Sequence, residues 1–135
     1  MSQSPSPTTQ VFYPALSYRD APAAIEWLER AFGFETTMNT PGPDGTIAHA
    51  ELSFGGGIIM LGTAVDNRGK RTSGGVHPVN KGIYVYVKDP DAHYTRARAA
   101  GAEIERELND TDYGSREYSA RDPERHVWSF GTYRP

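Results

Sequence analysis

The sequence predicts an α+β domain made of two βαβββ modules in tandem, and three observations predict it. Two segments of strand composition, 11–18 and 82–87, each lead into a helix capped by aspartate and opened near its start by proline. Turn and cap residues recur at a fixed spacing. Asp20 matches Asp89, Gly45 matches Gly114 and Gly62 matches Gly131 at an offset of 69, while Gly33 matches Gly101 and Glu35 matches Glu103 at 68. The order β-α-β-β-β is the same on both sides of a long, polar, glycine-rich stretch, and such self-similarity marks a structural repeat.

Residues 1–9 read as a loose tail of Ser, Pro, Gln and Thr. Val11 to Tyr18 has strand composition, and Pro14 confines it to an edge. From 21 to 32, Ala24, Ile25, Leu28 and Phe32 recur at helical spacing and form the inward stripe, with Gly33 ending the helix. Strands are expected at 34–39 and 46–54, around the turn Pro41 to Gly45, and at 58–61 after the glycine triplet 55–57. The first module is thus 10–63, the second 79–133, and 64–78 is the connecting loop or a lid, all within one domain. In the second module Gly82 to Val87 is a strand. Asp89 caps a helix whose inner side holds Tyr94, Ala97, Arg98 and Ala100, ended by Gly101. Glu103 to Glu107, a turn from Asn109 to Gly114, a strand through Tyr118, the turn Asp122 to Arg125 and a strand from His126 to Thr132 complete it.

The bulk numbers exclude several classes. The net charge is −3, so there is no broad basic excess to neutralise a nucleic-acid backbone, and no nucleic-acid partner is expected. No run reaches the roughly 18 apolar residues of a membrane span, and the polar N-terminus lacks the apolar core of a signal peptide. A cytoplasmic location is the default expectation. With no cysteine there are no disulfides, thiolate nucleophiles or cysteine metal sites.

The segment YRDAPAAIEWLERAFGFE resembles the first helix of the glyoxalase/bleomycin-resistance (vicinal oxygen chelate) superfamily. The segment YSARDPERHVWSFGTY resembles its closing hairpin, with Arg125 where the turn usually has Gly. The resemblance runs from about Val11 to Tyr133. It implies a curved mixed sheet around a cavity, with helices on the convex side. It also implies a homodimer, often with cavities completed across the subunit interface. Many members hold a divalent metal for lyase, epimerase or extradiol dioxygenase chemistry, and others bind antibiotics without one.

The positions where the family places metal ligands fall here on Tyr13, Met60, Gly82 and Ser129. These make no plausible divalent site, since such ions want imidazole or carboxylate. No cofactor is expected. His49 and Glu51 alternate on one strand and share a face. They face the cavity as an acid/base pair or part of a metal site, or else form an ordinary polar face near a sheet edge. His77 in the connector and His93 on the helix read as surface residues, and His126 as structural. Gly69-Lys70 lacks the spacing and following Ser/Thr of a phosphate loop.

By strand alternation, Tyr13, Ala15 and Ser17, then Tyr84 and Tyr86, then Val127, Ser129 and Gly131 face the cavity. Aromatic, mildly polar walls suit a small hydrophobic or aromatic molecule. Alternatively the tyrosines pack on each other or on a dimer partner. The expectation is a metal-independent binding protein of the bleomycin-resistance type, with Tyr13, Ser17, His49, Glu51, Met60, Tyr84, Tyr86 and Ser129 on the ligand. The alternative is a glyoxalase-like lyase, isomerase or dioxygenase using a non-standard metal or acid/base site at His49 and Glu51.

Overall fold

A computed structural model of the chain describes residue 10, residues 13–65 and residues 82–134. The expected tail 1–9, most of the connector and His77 lie outside the described residues. The first module runs β1 (Ala15–Tyr18), α1 (Ala21–Phe32), β2 (Glu35–Pro41), β3 (Ile47–Phe54) and β4 (Gly57–Thr63). The second runs β5 (Gly82–Tyr86), α2 (Pro90–Ala99), β6 (Glu103–Asp110), β7 (Arg116–Arg121) and β8 (Val127–Gly131). Each module forms one four-stranded mixed sheet, ordered β1-β4-β3-β2 and β5-β8-β7-β6. The expected mixed sheet is thus built as two halves, and among the described residues no strand pairing joins them.

The repeat holds atom by atom. Asp20 Oδ1 accepts the Ala23 N–H at 3.2 Å, and Asp89 Oδ1 accepts the Ala92 N–H at 3.1 Å. Each cap satisfies a donor that the helix start leaves orphaned. Gly33 and Gly101 both sit at left-handed φ, 86° and 90°, where a Cβ would strain the chain. β1 pairs parallel with β4, setting Ala15 against Met60, and β5 pairs parallel with β8, setting Tyr84 against Ser129. Both facing pairs obey the offset of 69.

Several expectations are corrected. The strand begins at Ala15, because Pro14 has no N–H to donate; its carbonyl supplies the first rung to β4, accepting from Met60 at 2.8 Å. β6 continues to Asp110: Asn109 pairs with Glu117 and Asp110 with Arg116, so the hairpin closes at Thr111 to Ser115. Cross-strand pairing overrides the turn preference of Asn109. Alternation puts Ala48 on one face with Ala50 and Leu52, yet Ala48 is exposed and only Ala50 and Leu52 are fully buried. On α2, Arg98 points outward and donates to the Tyr94 hydroxyl at 2.9 Å. Pro90 and Ala97 are buried, and Tyr94 and Ala100 pack half-buried against the core as expected, with His93 half-buried beside them.

His93 is therefore not a surface residue. Its Nε2–H donates to the Phe32 carbonyl at 2.8 Å, and its Nδ1 accepts the Tyr118 hydroxyl at 2.5 Å. Burial holds the imidazole below its ordinary pKa, which keeps this neutral tautomer. Arg96 donates to the Arg30 and Glu29 carbonyls, each at 3.2 Å, and so closes the end of α1. The two helices thus lock together over a core of Leu28, Phe32, Tyr118, Trp128 and Phe130, all fully buried.

The closing turn of the second module locks onto the first. Glu124 accepts the Arg19 and Asp20 N–H groups at 2.6 and 2.7 Å. Buried Asp122 accepts the Tyr18 hydroxyl at 2.6 Å and the Trp128 indole N–H at 3.1 Å. Arg125, at the position where the resembled turn usually has Gly, takes the left-handed conformation (φ 72°) within a closed turn, with its N–H on the Asp122 carbonyl at 2.9 Å. A side chain there carries strain that glycine lacks. Arg125→Gly is expected to raise stability by about 0.5–1 kcal/mol, seen as a higher denaturation midpoint. A lower midpoint would mean that the exposed contact of Arg125 with Glu103, at 3.8 Å, outweighs that strain.

Candidate functional site

A cleft of about 810 Å³ runs along the outer edge of β5. Its apolar walls come from both modules. Phe32, Phe34, Phe54, Ile58 and Ile59 contribute from the first, and Ile83, Val85 and Val87 from the second. Tyr84 and Tyr86 stand at its side. Gln10 closes one end, its amide bonded to the backbone of Ile58 at 2.7 and 2.8 Å. The rim carries Lys88, Asp89, Arg96 and Arg134. The Arg134 guanidinium lies over the Tyr86 ring, 4.5 Å from its centroid.

Tyr84 joins this cleft to the inner face of the second sheet. Its hydroxyl donates to the Tyr133 carbonyl at 2.6 Å, and burial together with the nearby Glu117 charge keeps its pKa above the ordinary phenol value. Glu117 is only 4% exposed, yet it carries a carboxylate. Arg106 donates to one of its oxygens and the Tyr113 hydroxyl to the other, both at 2.9 Å. Gly131 lies opposite Glu117 on β8. A Cβ there would come within 2.5 Å of Glu117 Cγ and 2.9 Å of the Tyr84 hydroxyl, so only glycine lets these groups meet. Ser119 and Ser129 share a hydrogen bond at 2.8 Å on the same face.

The first sheet has its own inner face. His49 Nε2 and Glu51 Oε2 are 2.9 Å apart and half-exposed, near half-buried Met60. Ser17 is exposed on β1, and the Tyr13 hydroxyl turns to the Gln10 carbonyl at 3.2 Å. The structure therefore brings together His49 with Glu51, Tyr84 with Tyr86, and Ser129 with Ser119. Hydrogen bonds run within each inner face, so the expected residues form separate groups within one chain.

The residues do not fit a family metal. The structure opposes Met60 to Ala15 and Ser129 to Tyr84, and the expected positions add Tyr13 and Gly82. Neither choice supplies an imidazole or carboxylate. Among the described residues no three His, Asp or Glu side chains gather closely enough for an ion. Nor is any described helix long and apolar enough to cross a membrane.

Sequence reading missed Glu117, Arg106, Tyr113 and the rim arginines. A signal existed for the first: at an offset of 68, His49 and Glu51 fall on Glu117 and Ser119. Tyr113 sat in a stretch read as turn, and the rim depends on how the modules pack.

This architecture has relatives. TioX from Micromonospora sp. ML1 superposes with a TM-score of 0.74 at 38% identity, over 93% of this chain and 98% of that one. Lactoylglutathione lyase from Agrobacterium tumefaciens shares the fold at 22% identity, with a TM-score of 0.65 over 93% and 95% of the two chains. FosX from Listeria monocytogenes, solved with Mn(II) and sulfate, shares it at 13%, with a TM-score of 0.68 over 93% of each. In sequence, the uncharacterized protein Rv0887c of Mycobacterium tuberculosis is 38% identical over 123 residues, 87% of this chain and 71% of that protein. The family model for the Glyoxalase/Bleomycin resistance protein/Dioxygenase superfamily matches residues 10–130, nearly the whole described repeat. With its paired βαβββ modules and this match, the chain belongs to that superfamily.

Proposed function

We propose that the protein binds a small hydrophobic or aromatic molecule without a metal, in the cleft beside Tyr84 and Tyr86. The observation that carries this reading is the cleft itself: about 810 Å³, walled by phenylalanine and aliphatic side chains, with a few polar groups at the rim. Cavities of this size and lining take drug-sized molecules. Sequestration of a drug or natural product, as in antibiotic resistance, is the biological use that fits. The proposal includes a homodimer, in which the two inner faces of different chains can complete each other.

A thermal-shift panel of planar aromatics and antibiotics tests the reading. Specific ligands raise the melting temperature by mass action, and Tyr86→Ala reduces the shift. Silence across a broad panel would remove the support. Sedimentation velocity on the same samples is expected to show a dimer.

The 2.9 Å contact of His49 with Glu51 favours a second reading. A carboxylate that orients an imidazole is the core of many acid/base sites. Stoichiometric metal in purified protein, lost in His49→Ala, would put a lyase, isomerase or dioxygenase in place of a binder.

A further inference from the structure

We propose that the molecule held in the cleft is a planar aromatic acid, an inference that rests on the cleft being the binding site. The rim is electrostatically one-sided. Lys88, Arg96 and Arg134 line it, against the single carboxylate of Asp89. That carboxylate is engaged in capping α2 through the Ala92 N–H at 3.1 Å, where the positive helix end compensates it. The other nearby acid, Glu117, is buried behind Tyr84 and already neutralised by Arg106 at 2.9 Å. His93 contributes no charge: both its ring nitrogens are used, one donating to the Phe32 carbonyl and the other accepting from Tyr118.

None of the three cations forms a salt bridge with a carboxylate among the described residues. Arg96 donates to neutral backbone carbonyls, and the Arg134 guanidinium lies over the Tyr86 ring. A ligand ring entering beside Tyr86 meets apolar walls on one side and a guanidinium at its edge. A carboxylate on that ring pairs with Arg134 through a charge-assisted bond, whereas an ammonium there meets like charge.

A charge-matched trio tests this by isothermal titration: 2-naphthoate, 2-naphthalenemethanol and 2-naphthylmethylammonium. Naphthoate is expected to bind roughly fivefold or more tightly than the alcohol, the size of one modest ion pair, with the ammonium weakest. Arg134→Gln shrinks the naphthoate-to-alcohol ratio toward one, and so does higher salt. Equal affinities for all three, or tightest binding of the ammonium, overturn the acid preference and leave the cleft as a binding site. A ratio untouched by Arg134→Gln also overturns it. If none of the three binds, the cleft reading falls and the acid preference with it.

Discussion

Asp122→Ala is expected to lower the unfolding free energy by about 3–5 kcal/mol, the cost of breaking a buried, charge-centred network. The carboxylate is 4% exposed and accepts five hydrogen bonds. Two come from side chains of opposite modules, Tyr18 and Trp128. Two come from the N–H groups of Glu124 and His126, both at 3.0 Å, and one from His126 Nδ1 at 3.3 Å. Alanine leaves all five donors facing an empty space in the core. Asp122→Asn keeps the shape, but the amide can accept on one atom only, so about 1–2 kcal/mol is expected to be lost. Denaturant unfolding measures both, and a loss below about 1 kcal/mol for alanine would show that the module junction rests elsewhere.

The same residue gives a pH dependence. Burial acts to raise the Asp122 pKa, but the hydrogen bonds from His126 and Tyr18, with the His126 charge and the Trp128 bond, hold it below the ordinary carboxylate value. A depressed folded pKa contributes stability that is fully present above the unfolded value, near about 4, and is lost as pH falls through the folded one. His93 acts in the same direction at milder acidity. Its lowered folded pKa favours the neutral ring, so stability declines as pH drops below about 6.5. Asp122→Asn is expected to flatten the acid limb and leave the histidine step in place.

Phe32→Ala is the second large effect, with an expected loss of about 3–5 kcal/mol and a melting temperature lower by roughly 10–20 °C. The ring is fully buried at the end of α1, where both modules meet. It packs edge-on against Trp27 and Phe130 at 4.8 Å and against Trp128 at 5.6 Å. Truncation opens a cavity among aromatic groups that cannot collapse without moving two sheets. Phe32→Leu retains most of the volume and is expected to cost less than half as much. Equal losses for the two variants would mean that shape at this site matters more than volume.

Much of this was legible in the sequence because its signals are local. Asp20 and Asp89 cap, Gly33 and Gly101 end helices, and Trp128 and Phe130 alternate with smaller residues, so the modules and much of their buried faces follow from periodicity. The likeness of the closing segment to a known hairpin added the family. The site was less legible because it is assembled by contacts far apart in the chain. Arg134 reaches Tyr86 only through the parallel pairing of β5 with β8. His93 looked like a surface residue because the partner of its Nε2, the Phe32 carbonyl, belongs to the other module. Asp122 looked like a plain turn residue because its burial depends on Tyr18, more than a hundred positions away. Arg125 hid its conformation for a different reason: a left-handed φ at a non-glycine residue leaves no mark in composition.

Titration calorimetry of 2-naphthoate in the presence of excess EDTA, on the wild type and Tyr86→Ala, tests metal-free binding in the cleft most directly. The account predicts saturable binding to the wild type that the chelator leaves unchanged and that Tyr86→Ala weakens severalfold. Binding that vanishes with EDTA and returns with a divalent ion would contradict it, and so would binding indifferent to Tyr86.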